Sequence, residues 1–378
     1  MSRRLVILTE IIAPYRIPVF NALARRREID LHVIFLAESD PELRDWRVYK
    51  DEIQFSYQVL PSWRQRVAGH KLLLNRGLKE ALSEANPEVI LCGGYNYPAA
   101  WQALRWAGKN RIPFMLWVES TEQDFRSRTP AIEFLKKRFM SSCNAFVVPG
   151  KSSLKYVMNY GVRENEIFAA PNAVDTDLFA GKAEAVRHEA VTHRQTLQLP
   201  SRFFLFVGRL VREKGLFDLL EAYGKLTPEL RGAVGLVLVG EGAARAELTR
   251  RSSEIKPGEV QFAGFVHRDQ LASYYALAET FVFPSHTDTW GLVVNEAMAC
   301  SLPVISSEAA GCTADLVQDS WNGRVVRRGD VAQLASAMEE LARDPAMGTR
   351  MGNHSKERIL SYSPEACAAG IAKAALSR

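Results

Sequence analysis

Two stretches of the 378-residue chain set cations, carboxylates and glycines at spacings suited to an anionic ligand. In the first, the apolar run through Phe206 and Val207 passes directly into Gly208 and Arg209, then along a short loop to Lys214 and Gly215. A glycine at Gly208 lets the backbone approach a ligand. Arg209 and Lys214 then stand at a strand end beside a helix start, where two cations and free amides suit a diphosphate. On these residues alone, an ordinary charged surface loop is an equal reading. The second stretch runs from Phe281 through Asp288, Trp290, Gly291 and Glu296 to Pro303 and Ile305. A strand ending at Pro284 leads into a polar loop. The helix opening at Gly291 offers the amides of Gly291, Leu292 and Val293 to a phosphate or to sugar hydroxyls. Asp288 falls in the loop and Glu296 in the helix. A carboxylate there can accept two hydrogen bonds from a ribose diol, or simply serve as a structural cap.

Other chemistries find little support. Asp175 and Asp177 and the scattered histidines offer no ligand cluster, so no metal is expected. Gly150, Lys151 and Ser152 resemble the tail of a P-loop, but position 145 is Ala and not Gly. No Gly-x-Gly-x-x-Gly follows the first strand or the strand at 203–207, which argues against a nicotinamide cofactor.

The elements that must position these residues alternate short β-rich runs with longer amphipathic stretches, the pattern of βαβ units and parallel sheets. Strands are predicted at 5–8, 31–36, 89–92, 114–118 and 145–148, with helices at 17–27, 72–85 and 98–109. The second half repeats the scheme. Its strands fall at 203–207, 235–239, 260–262, 280–283 and 304–305, and its helices at 215–225, 243–252, 269–278, 294–299, 331–343 and 365–375. The join lies near 171–200, where residues 181–193 read as a linker or an exposed helix. The chain is therefore read as α/β with two Rossmann-like domains, 1–175 and 176–359, whose parallel sheets face across a cleft. A helix at about 360–378 packs back on the first domain. The cleft is the expected ligand site.

Composition bounds the rest. Five scattered cysteines without a Cys-x-x-Cys pair fit a reducing cytoplasm better than a disulfide framework or a zinc site. No stretch approaches the ~18 apolar residues of a membrane span. The run Leu5 to Leu8 reads as a buried first strand and not a signal peptide. Residues 1–170 carry 25 Lys and Arg against 18 Asp and Glu; the remainder carries 23 against 25. A basic first half suggests an anionic partner there, either a membrane surface, with Trp63, Arg64 and Arg66 as the expected contact, or a lipid diphosphate, while any single basic cluster reads equally as a solvated helix face. No nucleic-acid reading motif accompanies the charge.

Taken together and in order, the motifs resemble the family 4 glycosyltransferases, the retaining group with the GT-B fold. The signature Glu-x7-Glu is present as Asp288-x7-Glu296, followed by Ala297 and Pro303. The glycine turn Gly240, Glu241, Gly242 matches, as do Gly264, Phe265 and Val266, the segment that flanks the nucleotide base. Pro171, Asn172, Val174, Asp175 and Phe179 match the inter-domain signature. The resemblance implies that Arg209 and Lys214 grip the donor diphosphate and stabilise it as it leaves. It also implies that Glu296 binds the ribose, that Gly291, Leu292 and Val293 meet the β-phosphate and sugar, and that Asp288 faces the donor sugar; Trp290 is a further substrate-binding candidate. UDP is the donor base it implies first, while the residues admit GDP or ADP. The usual Glu-Gly-Phe-Gly is replaced by Asp288, Thr289, Trp290 and Gly291, and the usual Gly-Gly loop after the first strand by Glu10 to Pro18. The opening Pro14, Tyr15, Arg16, Pro18 and Phe20, with Trp117, Glu119 and Ser120, resembles a branch that builds bacterial surface polysaccharides or glycolipids. Tyr15 and Arg16 would then line the acceptor side. Glu119 is either a base or orienter for the acceptor hydroxyl, or a strand-end acid paired with a nearby arginine.

The expected function is transfer of a hexose-type sugar from a nucleotide sugar to a glycan, glycolipid or lipid-linked hydroxyl. The enzyme would be cytoplasmic, peripheral at the inner face of the membrane, and without metal or other cofactor. The alternatives are a nucleotide-sugar epimerase on the same fold and a non-catalytic nucleotide-sugar binder.

Overall fold

The computed structural model describes residues 2–40, 47–67, 70–124 and 129–378, and at 66, 67, 70 and 71 the backbone alone. The chain divides into two compact units. The first is Met1–Val174 with Ser363–Arg378, and the second is Asp175–Tyr362.

The first unit is built on strands β1 Arg3–Thr9, β2 Ile29–Phe35, β3 Ser56–Val59, β6 Val89–Cys92, β7 Phe114–Trp117, β8 Ala145–Val148 and β9 Ile167–Ala169, with β4 Ser62–Val67 and β5 His70–Asn75 forming a separate hairpin. The main sheet has the order β3-β2-β1-β6-β7-β8-β9 and every pairing in it is parallel. Strands covered on both faces should read as continuous apolar runs. Several do: Val89 to Cys92 in β6 and Ala145 to Val148 in β8 are wholly buried. Two apolar layers lie on the sheet's faces. One gathers Leu5, Ile7, Phe20, Trp117 and the helix Pro364–Leu376; the other gathers Val6, Leu8, Leu116 and Phe139. The helix Pro364–Leu376 therefore belongs to this unit's core, through Cys367, Ala368 and Ile371.

The second unit carries β10 Phe203–Val207, β11 Gly235–Val239, β12 Val260–Gly264, β13 Thr280–Phe283, β14 Val304–Ser307 and β15 Gly323–Val326 in the order β12-β11-β10-β13-β14-β15, again all parallel. In each sheet the strand order reverses beside its first strand, between β1 and β6 and between β10 and β13. Open parallel sheets bind ligands at the carboxyl ends of strands at such a switch point. The loops after β1, β10 and β13 hold Tyr15 and Arg16, Gly208 to Lys214, and Asp288 to Gly291.

One expectation needs correction, and between linker and helix at 181–193 the helix holds. The stretch at 72–85 is not one helix: Leu72, Leu73 and Leu74 belong to β5, where they pair with β4 (Trp63 opposite Leu74), and the helix begins at Leu78. Gly77, at φ +77°, separates the two elements. An apolar triplet fits either period, and pairing to a neighbouring strand decided it. Residues 181–193 are helical, within Thr176–His188 and Ala190–Leu197, with Phe179, Ala183 and Val186 facing inward.

Candidate active site

In the second unit, two loops are stapled together at the strand ends. The amide of His286 donates to the carbonyl of Glu213 at 2.8 Å, and Ser285 Oγ donates to the same carbonyl at 3.3 Å. His286 Nε2 meets Asp218 Oδ2 at 2.5 Å on the helix that follows. Gly215 makes this approach possible: its φ is +70°, and a Cβ there would fall on the Pro284 carbonyl oxygen. The staple brings Lys214 to Asp288. Their ion pair is largely screened from water, with side chains 13% and 19% exposed. The other carboxylate oxygen of Asp288 accepts from the Trp290 amide at 3.3 Å. One carboxylate thus bridges an ammonium and a backbone amide just ahead of the helix Leu292–Ala299.

That helix opens at Gly291, at φ +100°, where a Cβ would meet the Phe283 ring at 2.7 Å. The amides of Leu292 and Val293 lie in its first turn, where helix geometry supplies no acceptor. These amides, at a helix N-terminus, suit negative charge, as does the ammonium of Lys214. Arg209 differs from Lys214. Its side chain is 64% exposed and lies 3.4 Å from Glu213. It can swing to a ligand but is not held for one. Gly208 is fixed by its amide, which donates to Val239 O at 3.0 Å.

Glu296 sits on the same helix. Tyr275 Oη donates to its Oε2 at 2.8 Å. The carboxyl is enclosed although the residue keeps some exposed surface, and burial pushes its pKa up to about 7 against the opposing pull of Tyr275 and Arg268. Trp290 is buried, its Nε1 donating to Asn295 Oδ1 at 2.8 Å and its ring 6.4 Å from Tyr362. Its indole thus lies in the interior, and the main chain of this residue borders the loop. Gly264 accepts from the Gly240 amide at 2.7 Å, Phe265 is exposed and lies edge-on to His267, and Val266 is half-buried.

The first unit assembles a different kind of site. Arg16 is buried, with its guanidinium 4.1 Å from the centre of the Trp117 ring, 5.7 Å from that of Tyr15, and Nη2 3.1 Å from Glu119 Oε2. Burial works against the charge on Arg16, yet the Glu119 carboxylate and Tyr15 more than offset it and raise its pKa. The open question about Glu119 is settled in one respect: it is paired with an arginine, while a third of its side chain stays exposed. Trp117 Nε1 is buried without a partner among the described residues, a cost of about 1–3 kcal/mol that the stacked guanidinium accompanies. Asn172 is buried in the same unit.

Three participants escaped the sequence reading. Tyr275 and His286 act through pairings to distant positions, Glu296 and Asp218. Trp117 was part of a quoted segment, but its role as a platform depends on where Arg16 folds. Among the described residues no group of acids, histidines or cysteines could hold a metal ion, and no helix is long and apolar enough to cross a membrane. Of the expected membrane contact, Arg64 donates to Ser39 O at 2.8 Å and lies 3.6 Å from Asp40, so its charge is committed within the unit. Arg76 stacks at 5.2 Å on Trp63, and the side chain of Arg66 lies outside the described residues.

Comparison with known proteins places this geometry. The model described as "Glycosyl transferases group 1" matches residues 190–358, and "Glycosyltransferase Family 4" matches residues 20–178. The chain is 28% identical over 230 residues to the O-antigen chain mannosyltransferase C of Escherichia coli, covering 60% of this chain and 58% of that one. It is 30% identical over 199 residues to a D-inositol 3-phosphate glycosyltransferase of Xylanimonas cellulosilytica, covering 51% and 46%. The chain thus spans about half the length of the curated relatives it matches. The Anabaena protein HepE, solved with UDP and glucose, shares the fold over 100% of both chains with a TM-score of 0.76 and 16% identity. With a family model on each half and two Rossmann-like parallel-sheet units of the GT-B kind, the chain belongs to the family 4 glycosyltransferases.

Proposed function

We propose that this protein is a retaining hexosyltransferase that moves a sugar from a nucleoside diphosphate, UDP first among them, to a hydroxyl of a glycan, glycolipid or lipid-linked acceptor. The observation that carries it is the screened Lys214–Asp288 pair at the start of the helix Leu292–Ala299. As the glycosidic bond breaks, negative charge grows on the leaving diphosphate. Lys214, the first-turn amides and a mobile Arg209 stand ready for it, which is where catalytic electrostatics counts most. Glu296 would accept hydrogen bonds from the ribose hydroxyls, and Gly264, Phe265 and Val266 would flank the base. Asp288 keeps Lys214 aimed and borders the sugar. It is no nucleophile in this scheme: the acceptor hydroxyl attacks from the face the phosphate leaves, and a phosphate oxygen takes its proton.

On the acceptor side, Arg16 and Glu119 form one held pair, with Tyr15 beside it. Glu119 would orient the acceptor hydroxyl, and Arg16 would meet an anionic acceptor group. No metal or cofactor takes part in this scheme. The protein would work at the inner face of the cytoplasmic membrane, where lipid-linked acceptors present themselves. The relatives support surface-polysaccharide chemistry in kind, since one is by name an O-antigen chain mannosyltransferase. The two matching family models are both glycosyltransferase models, and nothing in them favours an epimerase.

The test is a donor panel of UDP-, GDP- and ADP-sugars incubated with extracted lipid-linked glycans, read by release of nucleoside diphosphate and by NMR of the product anomer. Transfer with the donor's anomeric configuration supports the reading. Inversion would overturn the retaining mechanism, and nucleotide binding without any turnover would leave a non-catalytic binder.

A further inference from the structure

The helix Pro130–Met140 has an unusual outer face. Its inner side is firmly seated. Phe139 packs 4.9 Å from Trp101 and 6.0 Å from Phe114, and buried Lys136 pairs with Glu133 at 2.7 Å. Tyr160 Oη donates to Glu133 Oε2 at 2.6 Å. Along the same helix Ile132, Phe134 and Leu135 are exposed at 41%, 65% and 50%. Few large apolar side chains are so exposed anywhere among the described residues, and three of them fall within four positions here. Met158, 44% exposed, ends the neighbouring helix, whose tip shares a groove with Phe134 and Lys137. Lys137 and Arg138 stand among these apolar groups, and neither has an ion-pair partner among the described residues.

Exposed apolar groups interleaved with uncompensated cations are what an anionic lipid surface binds: the apolar side chains enter the headgroup boundary and the cations face phosphates. A protein partner would call for apolar groups at the centre with charge depleted there. We propose that the face formed by Phe134, Leu135, Lys137, Arg138 and Met158 docks this protein on an anionic bilayer. It replaces the contact expected at Trp63, Arg64 and Arg66, where Arg64 is committed internally. The helix that ends at Met158 links this face to the loop holding Glu119. The helix Lys151–Met158 is tied to that loop by Ser153 Oγ, which donates to the Glu119 carbonyl at 3.2 Å, and by Lys155, 3.2 Å from Glu122. Docking there brings Glu119 near the membrane, so an acceptor carried by a lipid would arrive beside it. This last step rests on the proposed sugar transfer; the docking itself does not.

The experiment is co-sedimentation of the full chain with vesicles of phosphatidylcholine, with and without phosphatidylglycerol, at low and high salt. The wild type should bind the anionic vesicles more strongly, and less so at high salt. Phe134→Ser/Leu135→Ser should weaken that binding roughly tenfold or more. Lys137→Ser/Arg138→Ser should bind both vesicle types alike. Far-UV circular dichroism and nucleotide binding, which belongs to the other unit, check that each variant is folded. Binding of the apolar double variant equal to wild type would overturn the assignment, as would a wild type indifferent to vesicles. A solution dimer that the apolar variant dissolves, with no vesicle binding, would give the face to a second copy. A chain that docks but transfers no sugar keeps the surface and loses only the acceptor.

Discussion

The two units hold charge in contrasting ways. In the second, the key cation is fixed by backbone: Lys214 is set by a loop stapled to its neighbour at His286, Ser285 and Gly215, and its counter-ion Asp288 is itself held by a main-chain amide. In the first, the key cation is fixed by side chains: Arg16 lies on the Trp117 ring and against Glu119. Loop staples of that kind tolerate little change in the chain but leave room for side-chain variation around them. A stacked arginine tolerates neither shortening nor loss of its platform. If the proposed roles hold, the unit with Lys214 should vary little and the unit with Arg16 should adapt to the acceptor.

Changes to the stapled loops should have the largest effects. Gly215→Ala combines a positive φ with a clash against the Pro284 carbonyl, and should destabilise the second unit by roughly 3–5 kcal/mol. Thermal unfolding should show it, and nucleotide binding should vanish with it. If Gly215→Ala melts like wild type, the staple is not what sets Lys214. Lys214→Ala keeps the loop but removes the cation, and should lower turnover by roughly 10²–10³-fold. Steady-state rates at saturating donor would check this.

Substitutions in the first unit should act on the acceptor alone. Arg16→Met leaves Glu119 without its counter-charge, and should cut kcat/KM for the acceptor by roughly tenfold or more while donor affinity stays as it was. Arg16→Lys should rescue little, since a compact ammonium cannot both stack on Trp117 and bond to Glu119. A fall in donor affinity with Arg16→Met would break the division of labour between the units.

The mildest effect belongs to Glu296, and it depends on pH. Its carboxyl has an ordinary pKa near 4.5 unfolded and about 7 folded. Between those values the folded state binds the extra proton, so stability falls as pH rises through that window. Glu296→Gln removes this loss and should raise the ligand-free melting temperature relative to wild type at pH 8 and hardly at pH 4. The same change should weaken nucleotide binding several-fold at pH 8, because an ionised carboxylate accepts both ribose hydroxyls and an amide does not. Equal melting differences at both pH values would count against an enclosed, proton-holding Glu296.

The second unit's loops were the more legible in sequence. Gly208, Arg209, Lys214, Asp288, Gly291 and Glu296 occupy fixed spacings because loops at strand ends allow few lengths, and spacing can be read in a sequence. The parallel sheets were legible as well, because strands buried on both faces leave continuous apolar runs such as Phe203 to Val207. What could not be read depends on long-range pairing. Leu72 to Leu74 form a strand because β4 lies beside them, β9 is too short at three residues to show a period, and β15 opens on Gly323 and Arg324. Tyr275 on Glu296 and Asp218 on His286 join residues 21 and 68 positions apart. Trp117 gained its role only when the loop after β1 folded Arg16 onto it.

The central claim is that Lys214 marks a diphosphate site confined to the second unit. Calorimetric titration with UDP, GDP and ADP tests it directly, using wild type, Lys214→Ala and Arg16→Met. The account predicts that one nucleotide binds clearly, that Lys214→Ala loses it, and that Arg16→Met keeps it. Equal binding by Lys214→Ala, or loss with Arg16→Met, would contradict it.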